Sequence, residues 1–148
     1  MAGVGFINRF TLPPSTQKLC MPDAAAELIA LNHRLLDAIT SGDWKTYAEL
    51  CDETLTCFEP ECLGHLIHGL EFHKFYFDLP PGPDGPTNTT MCDPHVRFLG
   101  PDSAIVCYIR LTQKVGAQGP VSMQVNETRI WQKNNGQWRH VHFHRSPV

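Results

Sequence analysis

The chain has 148 residues, of which 42% are hydrophobic and 18% charged, and 15 acidic side chains against 12 lysines and arginines give a net charge of -3. This length and apolar content predict one globular domain and exclude an intrinsically disordered protein. The mixed charges exclude binding to nucleic acid or an anionic membrane through clustered lysines and arginines. The longest apolar run, Ala104 to Ile109, is far shorter than the ~20 residues of a membrane-spanning helix.

Residues 1–22 are predicted to be a flexible leader, and residues 23–148 the folded domain. The leader contains Arg9 and Lys18 and no acidic residue, as targeting peptides do, but Pro13 and Pro14 would break an amphipathic helix. Six cysteines in a chain of this length do not form the dense pattern of a secreted disulfide scaffold. We therefore expect reduced thiols and a cytoplasmic location.

The first half of the domain has helical periodicity. Asp23 is expected to cap a first helix that Gly42 ends, and Asp43 to cap a short second one. The first helix has an apolar stripe at Leu28, Leu31, Leu35 and Ile39, and the second has one at Trp44, Tyr47, Leu50 and Cys51.

A short strand is predicted at Leu55 to Phe58 and a third helix from His65 to Leu79, with His73 on its apolar side. Four prolines and two glycines between Pro80 and Pro86 predict a loop.

The second half changes to the periodicity of strands. Segments rich in β-branched and aromatic residues are separated by turn signals, and they run from Met91 to Leu99, Ser103 to Lys114, Val121 to Lys133 and Gln137 to Arg145. Helices followed by an antiparallel meander predict an α+β fold.

Both faces of the second of these strands are apolar. Val106, Tyr108 and Arg110 alternate with a second row, which consists of Ile105, Cys107, Ile109 and Leu111. Three helices can cover one side of so small a sheet, so the second row favours self-association. Ile130 and His142 are assigned to the same predicted interface. The alternative is that β-bulges change these faces.

Three arginines lie among apolar neighbours on the predicted sheet: Arg110, Arg129 and Arg145. A buried guanidinium must be paired. One interpretation is that carboxylates such as Glu59, Glu71 and Glu127 satisfy the three side chains. The other is that they converge on a cavity and bind an anion, because the guanidinium fork fits a carboxylate.

Histidines offer further chemistry. His140, His142 and His144 alternate on one predicted strand face, and a second pattern combines Cys57, Cys62, His65 and His68. The first pattern has no nearby carboxylate to complete a ligand set, and the spacing of the second departs from a zinc finger or ribbon, so we predict no metal and no cofactor. His73 with Glu59, Glu61 or Glu71 is a candidate acid/base pair, but a histidine on an apolar helix face is more often a core residue. Kinase and nucleotide-binding signatures are absent.

Several strings, in this order and spacing, are similar to the association (hub) domain of calcium/calmodulin-dependent protein kinase II. They are FEPECLG (58–64), GLEFHKFYF (69–77), PHV (94–96), YIRLTQ (108–113), ETRIW (127–131) and VHFHRS (141–146). The resemblance extends from about Glu27 to Ser146.

The resemblance implies a nuclear transport factor 2-like cone, in which N-terminal helices pack into a curved antiparallel sheet around a deep pocket. It implies subunits that pair and close into two stacked rings, commonly of twelve or fourteen copies, which gather kinase domains. The pocket would accept a small carboxylate or a regulatory peptide. The residues expected to form it are Arg110, Arg129, Arg145, His73, Glu59 and Tyr108.

A non-catalytic scaffold is thus the predicted function, with the chain itself and kinase subunits as partners. The alternative is a small enzyme, because the same fold also contains isomerases and dehydratases and a fold alone does not decide function. In that case His73 would be the base, and the arginines would hold a substrate carboxylate.

Overall fold

The computed structural model describes residues 21–80, 85 and 87–148. The helices are α1 (Met21–Ser41), α2 (Trp44–Leu50) and α3 (Glu71–Phe77), with a short 3₁₀ turn at Pro60–Cys62. The strands are β1 (Cys51–Phe58), β2 (Ile67–His68), β3 (Asn88–Gly100), β4 (Ser103–Gly116), β5 (Gly119–Asn134) and β6 (Gln137–Pro147). Most of the predicted leader and most of the Pro80 to Pro86 loop lie outside the described residues.

The first two helices follow their sequence signals closely. Helix α1 begins at Met21, so Asp23 lies within its first turn instead of preceding it. The helix ends before Gly42, whose positive φ of 72° suits a residue without a side chain. The cap of α2 is confirmed, because the Asp43 carboxylate accepts a hydrogen bond from the Thr46 amide at 3.0 Å. Cys51, assigned to α2 by its spacing, is the first residue of β1.

The third predicted helix is wrong in its first half. Helix α3 begins at Glu71, because Gly69 has a φ of +76° that a helix does not allow. The preceding residues Ile67 and His68 instead pair with β1 as the short strand β2. Leu66, expected on the apolar stripe, is 42% exposed, whereas His73 is buried as predicted.

The six strands form one sheet in the order β2-β1-β6-β5-β4-β3. The antiparallel meander from β3 to β6 is confirmed, and the last hairpin turns at Asn135 and Gly136, both with positive φ. Strand β1 pairs with β6 in parallel, a pairing that the sequence does not reveal.

The helices cover one face of the sheet, here called the inner face. Leu28 and Leu35 of α1, Val106 of β4 and Trp131 of β5 are completely buried in one core cluster. The opposite, outer face of β4 is half-buried or exposed, which confirms the predicted alternation along this strand.

A β-bulge in β6 overturns the prediction for the histidine row. Trp131 pairs with His140 and the adjacent Ile130 pairs with His142, so Val141 is the extra residue. The bulge turns His140 onto the inner face, where it is completely buried, while His144 is exposed. Val141 itself is half-buried, whereas Phe143 is buried in the core.

Candidate functional site

A cavity of about 140 Å³ opens between the helices and the inner face of the sheet. Five of the six residues predicted for a pocket line it: Glu59, His73, Arg110, Arg129 and Arg145. Glu61, considered above as an acid/base partner of His73, also lines it. Sequence reasoning did not assign the remaining lining residues to the pocket, and they are all aromatic or aliphatic: Ile39, Tyr47, Tyr76, Phe77 and Phe143. The cavity therefore combines cationic groups with apolar walls.

Tyr108 supports the cavity from behind its lining. Its hydroxyl donates to Glu127 and accepts from the Arg129 Nε at 2.8 Å. A second guanidinium nitrogen of Arg129 donates to the Glu127 carboxylate at 2.8 Å. Burial alone would raise the pKa of Glu127, but Arg129 and Arg110 outweigh it and hold the pKa below its usual range. Arg129 is 1% exposed and its guanidinium is already bonded to Glu127 and Tyr108, so its role is structural.

Arg110 differs from Arg129 in its partners. Its Nε lies 3.2 Å from the Glu127 Oε1, and the Arg110 side chain is 15% exposed. Among the described residues, neither of these two atoms has a hydrogen-bond partner of good geometry. Burial lowers the pKa of Arg110, although the negative charge of Glu127 acts to raise it. Arg110 is therefore the under-satisfied cation of the cavity.

Arg145 is held at the other side by two carboxylates. Its Nη2 donates to Glu59 at 2.8 Å and also to Glu61, whose side chain is 38% exposed. The second oxygen of Glu59 lies 3.4 Å from the His73 Nε2. Burial raises the pKa of Glu59, but its hydrogen bonds with His73 and Arg145 prevail and lower it. The pairing with carboxylates is thus observed, and all three arginines also line the cavity, whereas anion binding stays a prediction.

His140 belongs to this network although no spacing signal indicated it. Its Nε2 lies 3.3 Å from an Arg129 nitrogen and its Nδ1 lies 3.5 Å from the Cys51 sulfur. Burial, followed by the charge of Arg129, lowers the pKa of His140 well below 6.5. The ring is therefore neutral near neutral pH.

The metal-ligand patterns considered in the sequence are not assembled. His65 and His68 are exposed while Cys57 and Cys62 are buried, and His140 faces away from His144. Among the described residues, a different group brings its ligand atoms within 4.8 Å of one another: Cys57, Glu59 and His73.

The six residues predicted for an interface lie in β4, β5 and β6. Ile105 pairs with Ile130, which pairs with His142, so these three form a continuous row across the sheet. His142 Nδ1 lies 2.7 Å from the Thr56 hydroxyl, which extends the row to β1. Cys107 and Leu111 are half-buried and Ile109 is 37% exposed in the isolated chain.

Comparison with known proteins gives the family. The family model described as "Calcium/calmodulin dependent protein kinase II association domain" matches residues 24–148. The chain belongs to this family.

Relatives within the association-domain family are similar along most of the chain. The chain is 45% identical over 122 residues to the calcium/calmodulin-dependent protein kinase type II subunit delta of Oryctolagus cuniculus. That match covers 81% of the chain and 23% of the relative, so the chain spans about a quarter of its length.

Solved association-domain structures agree with the observed fold. A hub homology domain from Chlamydomonas reinhardtii has 53% identity and a TM-score of 0.79, covering 84% of this chain and 98% of that one. The association domain from C. elegans has 44% identity and a TM-score of 0.79, with coverages of 84% and 96%.

A structure described as a putative dehydratase of the NTF2-like family, from Streptomyces avermitilis, has 20% identity and a TM-score of 0.69 over 86% of this chain and 99% of that one. At this identity the likeness concerns the fold, and it confirms the expected nuclear transport factor 2-like architecture. No helix among the described residues is long and apolar enough to cross a membrane.

Proposed function

We propose that the chain is an oligomerisation hub, which assembles into a large ring-shaped homo-oligomer and gathers calcium/calmodulin-dependent protein kinase II-type subunits. The observation that carries this proposal is the apolar row on the outer face of the sheet. Helices cover the inner face, and an uncovered row of this kind is typical of an interaction surface. The association-domain family supports a partner of the same kind, a second copy of the chain.

The row is suited to an interface by its composition as well as by its exposure. Ile105, Ile130 and His142 are adjacent across three strands, so they form one surface. Interfaces between permanent partners have a core depleted in charge. The histidine contributes no fixed charge, since burial and its neighbour His144 lower the pKa of His142.

The decisive experiment is the molar mass of the full chain by multi-angle light scattering at micromolar concentration. We expect a mass of at least ten protomers of 16.6 kDa, and two stacked rings of twelve, fourteen or more would account for it. A mass of one or two protomers would contradict the hub.

The cavity is proposed to bind a small carboxylate or the acidic part of a regulatory peptide. Arg110 supports this, because its guanidinium is partly exposed and lacks well-formed hydrogen bonds. A bound carboxylate would accept hydrogen bonds from the N–H groups of Arg110, which Glu127 does not satisfy. The aromatic walls would cover the apolar part of such a ligand.

We assign no catalysis to this cavity. The His73 Nε2, which would have to act as the base, lies 3.4 Å from both Glu59 and Cys57 and so already contacts two protein groups. The kinase activity of longer relatives is proposed to lie in another part of those proteins, because the match covers 23% of the rabbit subunit.

A further inference from the structure

We propose that Cys57, Glu59 and His73 form a binding site for Zn²⁺ at the wall of the cavity. The His73 Nε2 lies 3.4 Å from the Cys57 sulfur and 3.4 Å from the Glu59 Oε1. All three ligand atoms lie within 4.8 Å of one another. The three side chains come from separate segments, since Cys57 is the penultimate residue of β1, Glu59 follows that strand and His73 lies in α3.

The two distances from the His73 nitrogen fit one tetrahedral ion. Zinc bonds of about 2.3 Å to sulfur and about 2.0–2.2 Å to nitrogen or oxygen place the sulfur about 3.5 Å from the nitrogen. The same geometry places the nitrogen about 3.4 Å from the oxygen. Both observed distances agree with these values. The sulfur and the Glu59 oxygen lie within 4.8 Å of each other, so binding requires at most a small movement of one side chain.

The surroundings of the group favour coordination. Cys57 is completely buried and His73 is 7% exposed, so water competes weakly for the ion. The other oxygen of Glu59 accepts a hydrogen bond from Arg145 at 2.8 Å, which fixes the carboxylate as supporting groups do in metal sites. Glu59 and His73 line the cavity, so a fourth ligand can reach the ion from that space.

The charges balance when the thiol is deprotonated. Burial and the nearby Glu59 raise the pKa of the Cys57 thiol, so the metal-free protein holds it as a neutral group. Zn²⁺ replaces that proton by a sulfur–zinc bond and releases one H⁺ to the buffer. The thiolate and the Glu59 carboxylate then neutralise the two charges of the ion, while His73 coordinates as the neutral imidazole.

The experiment uses Co²⁺ as a spectroscopic probe of the full chain, freed of metal and kept under a non-thiol reductant. A sulfur ligand gives a near-ultraviolet charge-transfer band and tetrahedral coordination gives visible bands, and Zn²⁺ should displace both. Calorimetry with Zn²⁺ in two buffers of different ionisation enthalpy should show release of about one proton per ion. A protein that gives no sulfur band overturns the proposal.

Cys51 provides the matched control. It is also a buried thiol beside an imidazole, at 3.5 Å from His140, and it is absent from the ligand group. We expect Cys57→Ala to abolish the sulfur band and to weaken Zn²⁺ binding more than tenfold, while Cys51→Ala retains both. An unchanged band in Cys57→Ala, or a band lost only in Cys51→Ala, overturns the proposed site.

Glu59→Gln is a second variant that preserves side-chain size. It should retain the sulfur band and weaken Zn²⁺ binding, and an unchanged affinity would remove Glu59 from the site. The proposal does not depend on the hub or on carboxylate binding. Cys57 does not line the cavity, so metal-free Cys57→Ala should keep the molar mass and the carboxylate affinity of the natural protein.

Discussion

At the residue scale, the three arginines of the cavity have different roles although the sequence presents them as equals. Arg129 is 1% exposed and bound to Glu127 and Tyr108. Removing it would leave a buried carboxylate short of a partner, a change that costs about 3–5 kcal/mol. Arg110 is partly exposed, and Glu127 keeps its contacts with Arg129 without it. Substitution of Arg110 therefore tests binding without dismantling the core.

We predict that Arg110→Gln weakens the binding of benzoate about ten- to a hundredfold, because a hydrogen bond to a charged group contributes about 1.5–3 kcal/mol. Benzoate is the probe because it joins a carboxylate to an aromatic ring. Isothermal titration calorimetry measures the affinity. Arg139→Gln is the control, since Arg139 does not line the cavity. Equal affinities in all three proteins would contradict a role for Arg110.

Because His140 is buried as a neutral imidazole, we predict that the stability of the protein depends on pH. The groups around His140 are Arg129, Cys51, His73 and His142. Burial lowers the pKa of His140 in the folded protein. As the pH drops below 6.5, the imidazole of the unfolded chain therefore becomes protonated while that of the folded protein stays neutral. The free energy of unfolding should therefore fall as the pH drops below 6.5, by up to about 1.4 kcal/mol per pH unit from this residue.

His140→Gln should flatten that dependence, because glutamine keeps an acceptor near Arg129 and does not titrate. Urea unfolding between pH 5.0 and 7.5 at one protein concentration provides the measurement. The exposed His144→Gln is the control. If His140→Gln and the natural protein lose stability in parallel, another group is responsible.

At the element scale, the sequence predicts what depends on local patterns and misses what depends on single backbone positions. Helix α2 and its Asp43 cap could be predicted because the capping side chain is local. The start of α3 could not be predicted, because it depends on the positive φ of Gly69 and on the pairing of Ile67 and His68 with β1. The bulge at Val141 has no residue signature, and it moves His140 from the predicted row into the core.

The candidate site was predictable to a similar extent. Alternation along β4 placed Arg110 on the face of Tyr108, and both are directed inward as expected. The resemblance assigned His73 to the pocket, where the structure places it. The partners of each arginine were not predictable, since Glu59 and Arg145 are 86 residues apart in the chain. Contacts between such distant segments depend on the complete sheet.

The prediction for assembly concerns Ile109, on the outer face of β4. Ile109→Asp puts a charge on the outer row without disturbing Tyr108 and Arg110, whose side chains lie on the other face. We expect a smaller molar mass in sedimentation velocity, with an unchanged circular dichroism spectrum. Leu63→Asp, at an 86% exposed position outside the sheet, is the control for added charge. Full-sized assemblies of folded Ile109→Asp would exclude this row from the interface.

At the scale of the whole molecule, one sheet separates the two proposed activities. The cavity is on the inner face, where the helices close over it, and the interface row is on the outer face, so neither surface includes residues of the other. A single layer of strands connects them. Ligand binding and assembly should therefore be separable by substitution, and each should stabilise the folded chain independently.

Thermal unfolding tests this separation with one readout. The unfolding temperature of the natural protein should rise with protein concentration, because association stabilises the folded state, and rise further with benzoate. Ile109→Asp should lose the concentration dependence and keep the benzoate shift. Arg110→Gln should lose the benzoate shift and keep the concentration dependence. A substitution that abolishes both responses in a folded protein would show that the two faces of the sheet act as one unit.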